Sequence, residues 1–176
     1  MHPEFVDHLV CPEHKQSFRL HVKEHVADRI QSGELICTSH GCSYKIHKFI
    51  PRFVNSDAYS DTFSKQRLYV RRHFEHYRND RSGDRILEPS TGFTKPKLQQ
   101  GSTLEVGCGY GRYLDTIDRM GGKVVGIDLS THSIELAGDF VGDRPNVNNP
   151  RATTHQTAIR DSLFGCSVQC EAGFGK

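Results

Sequence analysis

Three glycines alternate with other residues in Gly107-Cys108-Gly109-Tyr110-Gly111, two positions after Glu105, and they constrain this chain more than any other feature. The preceding Thr103-Leu104-Glu105-Val106 reads as a short buried strand, and Tyr113 to Met120 reads as a helix. A strand that turns sharply into a helix needs backbone conformations that side chains disfavour. Gly107 is expected to permit the turn, Gly109 to let a ligand approach the main chain, and Gly111 to let the helix pack close to the strand. Lys123-Val124-Val125-Gly126-Ile127 then reads as a second strand, and it ends in Asp128, seventeen residues after Gly111. A carboxylate at that tip is placed to accept the hydroxyls of a ribose. Strand, glycine turn, helix, strand and helix start form the pattern of a parallel sheet, so the predicted fold class is α/β.

The spacing also separates two kinds of ligand. A dinucleotide site needs Gly-x-Gly-x-x-Gly to cradle a pyrophosphate on the helix N-terminus. Here the pattern is Glu-x-Gly-x-Gly-x-Gly, with Asp128-Leu129-Ser130 closing the second strand. It resembles the first two motifs of class I S-adenosylmethionine-dependent methyltransferases, over residues 101 to about 141. The resemblance implies a Rossmann-like core with S-adenosyl-L-methionine as cofactor. Glu105, Gly107 and Gly109 would line its methionine end, with Gly111 completing the loop, and Asp128 would bind the ribose. It implies transfer of the sulfonium methyl to an acceptor that the sequence leaves open among small molecules, glycans, RNA and protein. No catalytic base can be named, because the acceptor side of such sites follows a fourth strand that is not recognisable here. Cys108 falls at a variable loop position and reads as packing rather than as a nucleophile.

A second cluster lies near the N-terminus. Cys11-Pro12-Glu13-His14 and Cys37-Thr38-Ser39-His40-Gly41-Cys42 are 22 residues apart. Two short-spaced pairs held apart by a hairpin-length insert are how a tetrahedral zinc site is built. Cys11, His14 and Cys37 are the expected ligands, with Cys42 or His40 as the fourth and Cys42 preferred for its thiolate. A structural metal would also help about fifty polar residues to fold, since they bury little apolar surface unaided. The following Tyr44-Lys45-Ile46-His47-Lys48-Phe49-Ile50-Pro51-Arg52-Phe53-Val54 resembles the ribbon of the small zinc-binding activator of tRNA methyltransferases, across roughly residues 8 to 54. Lys45 stands where that ribbon has proline, and Phe49 departs at another common position. The resemblance implies a ribbon that packs on a methyltransferase domain, in cis or in trans, with no chemistry of its own. A non-catalytic partner that stabilises another methyltransferase is therefore the alternative reading, although such a partner has no use for Asp128.

The expected organisation is a zinc-ribbon-like β domain over residues 1–54, a helical linker or lid over 55–100, the N-terminal part of a methyltransferase core over 101–147, and an atypical tail over 148–176. In the linker, Phe63, Val70, Phe74 and Tyr77 have helical spacing, and Lys65, Arg67, Arg71, Arg72 and Arg78 read as a solvated face. Pro145-Asn146-Val147 opens like a third strand, but no apolar alternation follows, Asp161 is a weak candidate for an adenine contact, and order is expected to be poor beyond about residue 147. The expectation is a truncated or frameshifted member of the family, with weak or absent activity alone. A net charge of +2 does not call for nucleic acid or membrane as partner. With no apolar leader at the N-terminus, the six cysteines are expected in a reducing cytoplasm.

Overall fold

A computed structural model describes residues 1–54, 81–141 and 159, together with the backbone strand Phe164–Gln169. The N-terminal part opens with a 3-10 turn, Pro3–His8, which buries Phe5 and Val6. Four antiparallel strands follow in spatial order: β1 (Phe18–Val26), β2 (Arg29–Cys37), β3 (Ser43–His47) and β4 (Ile50–Pro51). Alternation decides which face they bury. On β3, Tyr44 and Ile46 point inward while Ser43, Lys45 and His47 are exposed. On β1, Phe18 is buried and Leu20 and Val22 half-buried, between exposed Arg19, His21 and Lys23.

Two helices, α1 (Ser82–Thr91) and α2 (Lys95–Gln99), lead into the second sheet. Gly92 ends α1 in the left-handed conformation at φ 69°, donating its N–H to the Glu88 carbonyl. Then come β5 (Ser102–Val106), α3 (Arg112–Arg119), β6 (Lys123–Ile127), α4 (Thr131–Val141) and β7 (Phe164–Gln169). The three strands are parallel, with β5 between β6 and β7. Helix α1 is tied to α3 by Arg119, which bonds Asp84 on α1 and Asp115 one turn back on its own helix.

The two sheets share one core. On one side of the parallel sheet, Leu104, Val125 and Ile127 join Phe5, Leu9, Phe18, Leu35, Tyr44, Ile46 and Phe53 of the N-terminal part in a single apolar cluster. On the other side, Val124 clusters with Leu114 and Ile117 of α3, Ile134 and Ala137 of α4, and Leu87 of α1. The order is thus antiparallel sheet, parallel sheet, helices. A parallel sheet must be covered on both faces, and the N-terminal strands supply one cover. The boundary expected at residue 54 falls inside this shared core.

Within the tail, expected to be poorly ordered beyond about residue 147, Phe164–Gln169 pairs along β5 and Ile159 bridges to Leu9. Its composition hid it, since Gly165, Cys166 and Ser167 give no apolar alternation; the open edge of β5 is what orders it. The expected helix around Phe63 to Tyr77, the strand opening at Pro145 and Asp161 lie outside the described residues. Among those described, no helix is long and apolar enough to cross a membrane.

Gly126 tests the packing on the helical side. A Cβ there would lie 2.8 Å from Leu114 Cδ1 and 2.9 Å from Cys108 Sγ. Gly126→Ala is expected to destabilise the protein by about 2 kcal/mol, as overpacked cores do. Gly101→Ala, where nothing lies within 4 Å, should change stability by less than about 0.5 kcal/mol. Urea unfolding of the two variants provides the comparison.

Candidate functional site

The glycine loop follows directly from the pairing of β5 and β6. Both strands end at the same level, with Val106 opposite Ile127. The N–H groups of Gly107 and Cys108 both donate to the Ile127 carbonyl, at 2.8 and 3.0 Å. The chain then reverses in a tight turn closed by Gly111 N–H on the Cys108 carbonyl at 2.9 Å. Gly107, Gly109 and Gly111 have φ of 74°, 55° and 87°, all in the left-handed region that side chains disfavour.

The three glycines differ in their surroundings. A Cβ on Gly109 would meet nothing within 4 Å, so this stretch of backbone faces open space. A Cβ on Gly111 would lie 3.2 Å from both Ala137 Cβ and Val141 Cγ2. The close approach that Gly111 permits is therefore to α4, not to the strand as expected from sequence. Cys108 is buried, with its sulfur turned toward Gly126. That is packing.

Asp128 ends β6 and reaches across to this loop. Its Oδ2 accepts the Gly109 N–H at 2.8 Å and its Oδ1 accepts the Ser130 N–H at 2.7 Å. Burial pushes its pKa above the ordinary carboxylate range, and the two N–H donors oppose that shift. Glu105 is buried within β5, paired with Gly126 of β6. Four of the five residues singled out for a cofactor, Gly107, Gly109, Gly111 and Asp128, thus form one loop cluster, and Glu105 lies in the strand leading to it. The cluster sits at the C-terminal ends of β5 and β6. From β5 the chain goes first to β6 on one flank and later to β7 on the other, which makes a topological switch point, where open α/β sheets bind ligands.

The second cluster is formed by Cys11, His14, Cys37 and Cys42, whose ligand atoms all lie within 4.8 Å of one another. His14 Nδ1 is 3.4 Å from Cys11 Sγ, 3.5 Å from Cys42 Sγ and 3.9 Å from Cys37 Sγ, and Cys11 is 3.6 Å from Cys42. Metal–sulfur bonds of about 2.3 Å and a metal–nitrogen bond of about 2.0 Å give tetrahedral edges of about 3.5–3.8 Å. The donor set and its spacing fit zinc. The Ser39 hydroxyl lowers the Cys37 thiol to about 6, while burial raises Cys42 to about 11. Three thiols this close cannot all ionise without a cation among them. Gly41, at φ 69°, turns the second knuckle.

His40, the alternative ligand, is outside this group. Its ring stacks on His14 with centroids 3.9 Å apart, and its Nδ1 lies 2.7 Å from Ser39 Oγ. Two contributors escaped sequence reasoning. Tyr44 is buried, with its hydroxyl 3.6 Å from Cys11 Sγ and donating to Glu13 Oε1 at 3.1 Å; in the sequence it is simply an inward position of a strand. Glu135 accepts from Lys48 Nζ at 3.2 Å and from an Arg52 Nη at 2.8 Å, a link between segments that no spacing rule connects.

A family model described as a methyltransferase domain matches residues 104–172. Its span takes in the glycine loop, Asp128 and β7. Among the 19 chains of known structure that match is the plantazolicin methyltransferase BpumL in complex with SAH. It is 21% identical, with a TM-score of 0.31, over 56% of this chain and 35% of that one. The present chain therefore spans about a third of that protein's length. A search of curated protein sequences gives no match.

The surroundings of the glycines yield a ranking. Gly109→Ala incurs only the left-handed backbone, about 1 kcal/mol, whereas Gly111→Ala adds a clash with α4 and should lose about 2–3 kcal/mol. Equal losses on denaturant titration would contradict the placement of Gly111 against Ala137 and Val141.

Proposed function

We propose that this chain binds S-adenosyl-L-methionine at the C-terminal ends of β5 and β6 and takes part in methyl transfer from it. The observation that carries the reading is the Asp128 carboxylate drawn onto the Gly109 N–H beside backbone that faces open space. Asp128 keeps lone pairs for ribose hydroxyls after accepting its two N–H groups, since a carboxylate has about four acceptor positions. Glu105 and the glycines would line the methionine end. The methyltransferase-domain match over residues 104–172 supports the same chemistry. The cofactor supplies an electrophilic methyl on a good leaving group. The chain's own contribution is then orientation of that methyl, with proton transfer needed only where the acceptor must lose a proton.

We further propose that Cys11, His14, Cys37 and Cys42 hold one structural zinc ion. All four positions would be protein ligands, which leaves no open position for chemistry. A thiol-rich site of this kind belongs in a reducing compartment such as the cytoplasm. The inner face of the strands that carry it is already packed on the parallel sheet, so the ribbon serves its own chain in this reading.

Two measurements test these assignments. Elemental analysis of protein purified without added metal is expected to find about one equivalent of zinc, and folded protein without metal would refute the centre. Calorimetric titration with S-adenosylhomocysteine tests the pocket. Asp128→Ala should weaken binding by about 2 kcal/mol, roughly thirtyfold. The sign of the pH effect follows from the raised pKa of Asp128. Ribose hydroxyls donate to the ionised form, so affinity should fall as pH drops through the Asp128 range, at a higher pH than for an ordinary carboxylate near 4. Asp128→Ala should lose that dependence. Wild-type-like affinity in folded Asp128→Ala would place the ribose elsewhere.

A further inference from the structure

Helix α4 meets the Asp128 segment at its start and the end of the glycine loop further along. Ser130, whose N–H bonds Asp128, caps the helix: its hydroxyl accepts the Ser133 N–H at 3.2 Å and its carbonyl accepts the Ile134 N–H at 3.1 Å. One and two turns further on, Ala137 and Val141 press against Gly111. The position of α4 is thus linked to Asp128 at one point and to the loop at another. Between these two attachments lies Glu135, half-buried and bridged to Lys48 and Arg52 of the N-terminal sheet. Lys48 and Arg52 keep its pKa low against the opposing effect of burial.

The anchor on the other side is unusually fixed. Lys48 and Phe49 form the β3–β4 turn with φ of 51° and 66°, although neither is glycine. Two consecutive left-handed residues persist only where their surroundings hold them. The Phe49 N–H donates to the Gln31 carbonyl at 2.9 Å, and the Arg29 guanidinium lies 4.6 Å over the Phe49 ring. From this turn β3 runs straight back to Cys42. The path from thiol cluster to cofactor loop is thus Cys42, β3, Lys48, Glu135, α4 and Asp128, with a direct contact or covalent continuity at each step.

We propose that Glu135 is a positioning residue through which the metal-bound N-terminal sheet sets the geometry of the Asp128 end of the cofactor pocket, so that metal and cofactor bind cooperatively. This rests on the function proposed above. In this proposal the N-terminal sheet is the two-state element: metal ligation would favour its ordered form, which presents Lys48 and Arg52 to Glu135. Linkage is reciprocal, so metal must strengthen cofactor binding by the factor by which cofactor strengthens metal retention.

The test uses the full chain with zinc and S-adenosylhomocysteine as probes. Calorimetry gives the S-adenosylhomocysteine affinity of metal-loaded and chelator-stripped protein, and competition with a chromogenic chelator gives zinc affinity with and without S-adenosylhomocysteine. Both ratios are expected to be about fivefold or more, within the usual range of site-to-site coupling. Glu135→Gln and Lys48→Met should each weaken S-adenosylhomocysteine binding several-fold in the zinc-loaded protein and bring both ratios toward one. Glu135→Asp should recover part of the loss. If stripped protein unfolds, the chelator competition on loaded protein still reports the coupling. Wild-type protein that binds S-adenosylhomocysteine equally with and without zinc, or Glu135→Gln that leaves both ratios intact, would overturn the proposal. Wild-type protein that holds zinc and does not bind S-adenosylhomocysteine would instead refute the function on which it rests.

Discussion

Leu104, Val125 and Ile127 project from the same face of two adjacent parallel strands, and the rest of the described structure is arranged around keeping that face from water. Helices α3 and α4 occupy the opposite face, where Val124 meets Leu114, Ile117 and Ile134. No helix among the described residues is in the first cluster. Its place is taken by the inward residues of an antiparallel sheet that precedes the core in sequence: Phe18, Leu35, Tyr44 and Ile46, with Phe5 and Leu9 from the leading turn. About 25 cal/mol for each Å² of apolar surface withdrawn from water acts in both directions here. The N-terminal sheet gains a partner for its inner face, and the parallel sheet gains its second cover.

This arrangement explains which parts of the molecule can be read from sequence. Segment β5–α3–β6 is legible because each local signal agrees: a buried run, glycines where φ is positive, a helix of eight residues, and a second run ending in Asp128. The four-residue thiol and imidazole cluster is legible from spacing, since a short loop must bring its two ends to one point. The packing of one sheet on the other is not. Leu104 and Tyr44 look like ordinary inward residues of separate units, and alternation says that a face is buried without saying against what. Strand β7 fails for the opposite reason. Phe164-Gly165-Cys166-Ser167-Val168-Gln169 carries little strand signal of its own, and its conformation answers to the unpaired edge of β5, a tertiary cause that local propensity does not record.

Phe49 sits between these cases. The departure is visible in the sequence, where Phe49 differs from the ribbon that this segment resembles; its meaning is visible only in three dimensions. At φ 66° the position is one that glycine occupies without penalty. Phenylalanine there requires compensation, and one contact that glycine could not make is the ring under the Arg29 guanidinium. A glycine would fit the turn better and fix it less.

The same exchange of local ease for global definition governs the glycine loop. Asp128 is buried enough that ionisation is disfavoured, yet both its oxygens are committed to N–H donors, one on the glycine loop and one at the start of α4. A carboxylate in open solvent would ionise more readily and point nowhere in particular. Held between Gly109 and Ser130, it has a direction before any ligand arrives, so a ligand that uses its remaining lone pairs need not order it. What the ligand would otherwise have to organise, the fold has organised through α4. Helix α4 takes its own position from Gly111 on one side and from Lys48 and Arg52 on the other. The N-terminal sheet therefore reaches the segment that holds Asp128 only through α4, by way of Lys48 and Arg52 on Glu135.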